Sequence, residues 1–449
     1  MEGIPILLKV NDLMNYEPLK GFREFYPEQQ WGKRVILEKI EEIVKLFGFE
    51  EISTPSVESI DLFKMKSGEE IVEETYSFKD KGNREVVLIP ETTPAVSRMV
   101  SEISKISTFP IRWYSYSKVW RYEEPQKGRM REFYQFNVDI FGTKNSVVDA
   151  EVLYIAYMIM KNLGLDNDVQ IRVSHRNLIS SITKGLCDNN KLYKLIDKKH
   201  KIPNDEFDFS LKEICDNNEL YSKIKKVLDI KNPINIAIEE LKSFIEGDIV
   251  NELNQLEEAL KMYGIEDKII LDPSIVRGLL YYTGIVFECW DKKEELRAIF
   301  GGGRYDNLIG LFNKTPIPAI GFAIGDVTLE LLLKKENKWP IYKENKGVYA
   351  ILIYEKHLNE AIKVITKIRN ARIKVTFDYS AKPIQKGLEI ASKGMYKYCL
   401  IFGKEIEEGK IVIKNMETKE QITIQSDKAE QFFMEKLNQK SISSVNEAN

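Results

Sequence analysis

Histidine and cysteine are scarce in this chain, three and four residues out of 449. The cysteines, Cys187, Cys215, Cys289 and Cys399, stand far apart with no CxxC pair. That spacing excludes a disulfide framework and a thiolate zinc site and fits a reducing, cytoplasmic setting. So few histidines leave no material for a His-rich metal centre, and no resident metal is expected. Long apolar stretches are missing too: the longest lies near Tyr154–Met160, far short of the roughly 20 residues of a membrane span. The opening MEGIPILLKV has no basic segment before its short apolar run and does not read as a signal peptide. Neither GxGxxG nor GxSxG occurs, and FGGGRYD (Phe300–Asp306) lacks the Gly-Lys-Ser/Thr ending of a phosphate-cradling loop. Any nucleotide is therefore expected on side chains of a sheet surface.

What is present is an ordinary globular mixture, 43% hydrophobic and 30% charged, with a length prior of about three domains. The net charge of −3 hides an asymmetry, because Lys346–Lys397 holds 11 basic residues against 4 acidic ones. A basic C-terminal module on an acidic body suits a polyanion partner. Residues 1–19 read as an N-terminal extension without periodicity. Helical spacing of Val35, Ile36, Ile40, Ile43, Val44 and Phe47 predicts a helix over Gln29–Phe47, with a strand following to Pro55. Aromatic and β-branched runs separated by Lys81-Gly82-Asn83 and Pro125–Gly128 then predict an antiparallel sheet. An apolar helix over Val148–Leu163 follows, and residues 187–267 read as a helical insertion rich in Lys, Asn, Glu and Leu. The fold class is thus an α+β domain on an antiparallel sheet over residues 20–335. A polar linker at 336–347 joins it to an α/β domain of βαβαβ pattern over 348–436.

The densest chemistry sits in KVWRYEEPQKGRMREFYQFNVDIFG, Lys118–Gly142. Period-two alternation puts Arg121 and Glu123 on one face, and Arg131, Phe133, Gln135, Asn137 and Asp139 on one face of the returning strand. Arginine forks suit phosphate, Phe133 offers a stacking plate, and an amide and a carboxylate complete the surface.

This hairpin resembles motif 2 of class II aminoacyl-tRNA synthetases, and specifically of the histidyl-tRNA synthetase family. Gln29–Pro55 is similar to motif 1, through which class II enzymes dimerise; IPETTPAVSRMV (Ile89–Val100) resembles the amino-acid-binding loop; VRGLLYYTGIVFE (Val276–Glu288) is similar to the signature that separates histidyl enzymes from their class. The C-terminal α/β unit matches the anticodon-binding domain. The resemblance implies an aminoacyl-tRNA ligase that activates L-histidine with ATP, magnesium as counter-ion, and passes it to tRNA-His, as a homodimer. It implies that Glu91 and Thr93 hold the substrate amino group, and that Gln135 and Asp139 read the imidazole. Tyr281, Tyr282 and Tyr305 complete the pocket, though strand alternation would send Tyr281 and Tyr282 to opposite faces. Arg121 and Arg277 are the catalytic cations on the α-phosphate and substrate carboxylate. Glu123 and Phe133 hold adenine, Arg129 and Arg131 the outer phosphates, and Gln126 and Lys127 the tRNA acceptor end. Thr93 with Pro94 also reads as a helix cap and first-turn pair.

The family pattern is broken at three places. Motif 3 normally ends in a Glu-Arg pair whose arginine holds the γ-phosphate, and here Val327 and Thr328 stand there, although Gly321 and Gly325 remain. Arg304 and Arg98 are the substitutes the sequence suggests. Leu280 replaces an aspartate, and Glu124 replaces a basic residue of the motif 2 loop. These losses keep an alternative in view, a catalytically inactive histidine-sensing regulatory paralogue from histidine biosynthesis. Intact motif 2, Arg277 and the basic C-terminal domain favour the synthetase.

Overall fold

Alternation of apolar and polar residues along Ile111–Trp120 and Glu132–Phe141 produces two ten-residue strands that pair antiparallel, Ile111 opposite Phe141 and Trp120 opposite Glu132. They form the heart of the computed structural model, which describes residues 17–67, 73–199, 202–215, 217–245, 247–276, 281–342 and 347–438. Arg277 and Leu280, most of the N-terminal extension, and residues 343–346 of the linker fall outside them. The chain divides into two compact units, the first ending at Ile341 and the second beginning at Tyr342.

The first unit is built on a nine-stranded sheet. Its spatial order is Glu50–Glu51, Ile111–Trp120, Glu132–Phe141, Ala319–Gly325, Phe300–Arg304, Ile285–Asp291, Val169–His175, Ile269–Leu271 and Asn232–Pro233. The six strands from Ile111–Trp120 to Val169–His175 are antiparallel, with one parallel pairing on either side. One face is hydrophobic: Phe136, Val138 and Ile140 are at most 2% exposed and share a core with Ala156, Ile159 and Met160 of the helix Ser146–Asn162. Each such burial stabilises the fold by roughly 1.5–3 kcal/mol. The N-terminal helix Pro27–Leu46 lays Ile36, Ile40, Ile43 and Val44 into the same core. The apolar face of this helix is therefore packed within its own chain.

Among the described residues, six helices lie between Leu178 and Tyr263, over the stretch where composition predicts a helical insertion. Leu192, Leu211, Ile224 and Leu253 belong to the same continuous core as the central helix. Composition marks the change of texture but not this continuity, because a helical face looks alike whether it packs on itself or on a neighbour.

Asp326 ties the N-terminal segment to the sheet. Its carboxylate accepts two hydrogen bonds from Arg23 at 2.9 and 2.8 Å and one from the Tyr134 backbone N–H at 3.0 Å. Lys33 lies 3.4 Å away, between the rings of Phe25 and Tyr134. Burial pulls the Lys33 ammonium below its ordinary value, with Asp326 acting in opposition. The helix Asp326–Lys335 thus starts from an anchored residue that also suits the positive end of its dipole.

The second unit is a five-stranded sheet in the order Val375–Ala381, Val348–Leu352, Tyr398–Phe402, Lys410–Asn415 and Gln421–Gln425. The first three strands are parallel and the last two antiparallel, so half of the pairings are parallel. Val364, Ile365 and Ile368 of the helix Leu358–Asn370 pack on one face together with Phe433 of the last helix, Ala429–Asn438. That last helix was not expected from the sequence pattern.

Candidate active site

The second face of the large sheet carries the chemistry, and the strand register explains why there is room for it. Opposed residues in an antiparallel pair point to the same side. Asp139 stands opposite Gly321, which stands opposite Gly303; Asn137 opposite Ala323, opposite Gly301; Gln135 opposite Gly325. Beside a row of polar side chains, the sheet therefore has a floor of glycine and alanine. Gly321 is required by space: a Cβ there would lie 2.0 Å from Asp139 Oδ1.

At one end of this floor is a small buried polar cluster. The Tyr305 hydroxyl donates to Asp139 Oδ1 at 2.5 Å. Burial pushes the Asp139 carboxyl up from 3.8 to about 7, against the opposing hydrogen bond from Tyr305. Burial also raises the phenols of Tyr305 and Tyr281, so both remain protonated donors. Tyr281 donates to Glu91 Oε2 at 3.4 Å, and its ring centroid is 4.7 Å from that of Tyr282 and 5.7 Å from that of Tyr305. Strand alternation does not separate Tyr281 from Tyr282. Regular pairing begins only at Ile285 opposite His175, so the two tyrosines occupy a turn before the strand and reach the same side. Thr93 is the first residue of the helix Thr93–Ile103, and Thr92 holds the cap position without a side-chain capping bond. The capping role expected of Thr93 is not present.

Farther along the same face lies a cavity of about 620 Å³. Arg121, Glu123, Arg129, Phe133 and Gln135 line it, as do Gln126 and Lys127 at the exposed hairpin tip. Strand pairing ends at Trp120, so alternation does not govern Arg121 and Glu123; both reach the cavity from the loop. Gly128 makes the tight turn with φ +79°, a left-handed conformation that a side chain would strain. Arg121 is steered by a hydrogen bond from Nε to the Pro90 carbonyl (3.2 Å), with its guanidinium 5.4 Å from the Phe133 ring centroid. Arg129 forms an ion pair with Glu123. Gln135 Oε1 is buried without a hydrogen-bond partner among the described residues, an arrangement that a bound donor would relieve.

Arg131 does not share the face expected of it. It precedes the first paired residue, lies over the Tyr122 ring at 4.6 Å, donates to the Glu123 carbonyl at 3.0 Å, and is absent from the cavity wall. Glu124 also points elsewhere, pairing with Lys20 and lying 4.0 Å from Arg131. Its acidic charge in the loop is thereby partly balanced. Arg304 and Arg98, the substitutes suggested for the absent motif 3 arginine, are committed to other partners. Arg304 is buried against Asp149 and Asp306, and Arg98 makes hydrogen bonds of 2.9 and 2.6 Å to Glu58.

Sequence reading missed several wall residues. Glu288 pairs with Gly301 and so faces the cavity, which alternation would have signalled. Asp197 comes from the insertion and Arg297 from the segment before Phe300–Arg304; neither carries a local signal. The second unit has its own basic concavity, lined by Arg369, Arg372 and Lys374 beside Tyr396.

Known proteins resemble this chain in sequence and in fold. The family described as histidyl-tRNA synthetase matches residues 21–329, and an anticodon binding domain matches residues 345–436. A histidine–tRNA ligase from Picrophilus torridus is 40% identical over 420 residues, covering 92% of this chain and 98% of the relative. The histidyl-tRNA synthetase structure from Nostoc sp. PCC 7120 superposes with a TM-score of 0.76 at 23% identity, covering 94% of this chain and all of that one. A Bacillus halodurans structure described as ATP phosphoribosyltransferase regulatory subunit/histidyl-tRNA synthetase gives 0.71 at 21% identity over 86% of this chain and 98% of that one. These two structures share the fold, which does not separate synthetase from regulator; the sequence relative at 40% identity does. On the family match and that near-full-length relative, the chain belongs to the histidyl-tRNA synthetase family.

Proposed function

We propose that the chain joins L-histidine to tRNA-His in two steps at the face just described, as an ATP-dependent aminoacyl-tRNA ligase. The observation that carries this reading is adjacency on one strand. Asp139, buried beside Tyr305, shares a face with Gln135, which lines a cavity walled also by Arg121 and Arg129. A neutral imidazole offers one donor and one acceptor, so Asp139 and the hydroxyl of Tyr305 fix both its position and its tautomer. Glu91 and Thr93 take the ammonium group. The histidine carboxylate attacks the α-phosphate, the bond to pyrophosphate breaks, and histidyl-adenylate remains. The terminal ribose hydroxyl of the tRNA then takes the acyl group and AMP leaves.

Such a reaction relies on positioning and on cations already in place where charge develops. Arg121, and Arg277 from outside the described residues, bear on the α-phosphate, while Phe133 stacks on adenine and Glu123 accepts from its amino group. Among the described residues no three His, Cys, Asp or Glu side chains gather into a metal cluster. Magnesium is proposed to arrive with the triphosphate, as an ion that keeps its waters and binds mainly to phosphate oxygens. Gln126 and Lys127, at the exposed hairpin tip, are placed to meet the tRNA acceptor end.

Histidine-dependent exchange between ATP and pyrophosphate tests the reading, with the other amino acids as controls. Exchange with histidine alone is expected. Histidine binding without exchange would transfer the chain to the regulatory role. We assign anticodon recognition to the basic second unit. Truncation after Ile341 is expected to spare exchange while lowering tRNA charging by at least about 10²-fold, the loss of about 2.7 kcal/mol or more of phosphate and base contacts. Loss of both activities would give the unit a structural role instead. A homodimer and a cytoplasmic location complete the proposal, on family grounds; among the described residues no helix is long and apolar enough to cross a membrane.

A further inference from the structure

We infer that Arg297 is the cation that binds the outer phosphates of the nucleotide, standing in for the arginine absent at Thr328. The inference rests on the adenylate-forming reading above and names a residue for it. Position is the first argument. A Cβ placed on Gly128 would lie 3.6 Å from Thr328 Oγ1 and 3.8 Å from Arg297 Cδ, so the two side chains flank the same point of the hairpin tip. Thr328 Oγ1 in turn donates to the Gly128 carbonyl at 3.4 Å. Arg297 therefore enters from the neighbouring strand's leader at the place where the helix starting at Asp326 contributes only a hydroxyl.

Charge is the second argument. Arg129 is paired with Glu123, and Arg304 and Arg98 are held by carboxylates elsewhere. Arg297 is half-buried on the cavity wall, and among the described residues no carboxylate lies within ion-pair distance of it. Burial lowers its ordinarily high pKa, and the nearby Arg129 lowers it further, with Glu123 and Asp197 opposing more weakly. Arg297 and Arg129 repel each other on the cavity wall, and Glu123 and Asp197 offset this only in part for Arg297. A polyphosphate relieves this, because each arginine presents a fork matched to phosphate oxygens. The order along the wall also fits: Phe133 and Gln135 lie on the sheet floor, while Arg129 and Arg297 meet at the loop, where the far end of a nucleotide would reach.

The test compares ATP with AMP, which lacks the outer phosphates, using the full-length chain and its Arg297→Gln and Arg297→Lys variants. Direct titration gives the ratio of ATP to AMP affinity, and exchange gives the Michaelis constants for ATP, pyrophosphate and histidine. Arg297→Gln is expected to weaken ATP and pyrophosphate by about 10²-fold, the scale of one preorganised cation. AMP affinity and the histidine constant should stay within about twofold of wild type. Arg297→Lys should recover part of the loss, since it keeps the charge but not the fork. Equal weakening of AMP and ATP would make Arg297 a packing residue, and an unchanged ATP constant would remove it from the site; either overturns the inference. Absence of exchange in the wild type would sink the adenylate reading itself, while the titrated ATP-to-AMP ratio would still decide the role of Arg297.

Discussion

Arg121→Ala is expected to lower kcat/KM for histidine-dependent pyrophosphate exchange by about 10³-fold while the protein remains folded. Three features argue for so large an effect. The guanidinium is steered by the Pro90 carbonyl through Nε alone, which leaves its two terminal nitrogens for a ligand. Its guanidinium lies over the Phe133 ring, 5.4 Å from the centroid, so it is held before substrate arrives. Among the described residues it has no carboxylate partner, so none must be displaced. Removal of one preorganised donor at a site of developing charge typically costs about 10²–10³ in rate, and Arg121 is assigned to two groups, the α-phosphate and the attacking carboxylate. Arg121→Lys should recover only a small part, because an ammonium cannot bridge both groups with a planar fork. Steady-state exchange with thermal melts as a folding control decides the matter. A fall of less than about tenfold would move the catalytic charge elsewhere, first to Arg277.

The reach of sequence reading follows from which residues act through periodicity. Gln135, Asn137 and Asp139 lie inside a regular ten-residue strand, and alternation places them on one face as expected. Their glycine partners are equally legible once the strands are paired, because Gly301, Gly303, Gly321 and Gly325 fall on that face by register. Arg131 and the pair Tyr281 and Tyr282 were misplaced for one shared reason. Each lies just outside a paired segment, where period two no longer applies. Arg297 was invisible for a related reason: its meaning depends on the approach of Gly128 and Thr328, distant in sequence and brought near only by the strand order. The N-terminal helix forms where its period predicts, but an apolar face announces burial without saying against what, and these residues pack into the core of their own sheet.

The second large effect concerns Asp139, where binding and stability pull in opposite directions. Asp139→Ala should raise the Michaelis constant for histidine by about 10²-fold or more and leave that for ATP nearly unchanged. A pocket built to pair with a ring nitrogen discriminates strongly only while its polar group is present. Equal effects on both substrates would sink the assignment. The same carboxylate burdens the free protein. In the unfolded chain it ionises near 3.8, but burial in the fold holds it to about 7. The folded state therefore binds the extra proton between these values, and stability attributable to this group falls as pH rises through them. The loss is absent below 3.8 and complete above about 7, roughly 4 kcal/mol in all. Asp139→Asn keeps an acceptor for the Tyr305 hydroxyl but cannot ionise. Relative to wild type it should gain roughly 2 kcal/mol more stability at pH 8 than at pH 5.5, read from urea unfolding at the two pH values without ligand. Saturating histidine at pH 8 should shrink that gain, because the imidazole gives the ionised carboxylate a second hydrogen-bond donor, where among the described residues only the Tyr305 hydroxyl donates to it. A pH-independent difference between the two proteins would mean that Asp139 ionises freely in the empty pocket. The carboxylate would then be solvated before substrate arrives, and histidine selection would have to rest on Gln135 and the tyrosines instead.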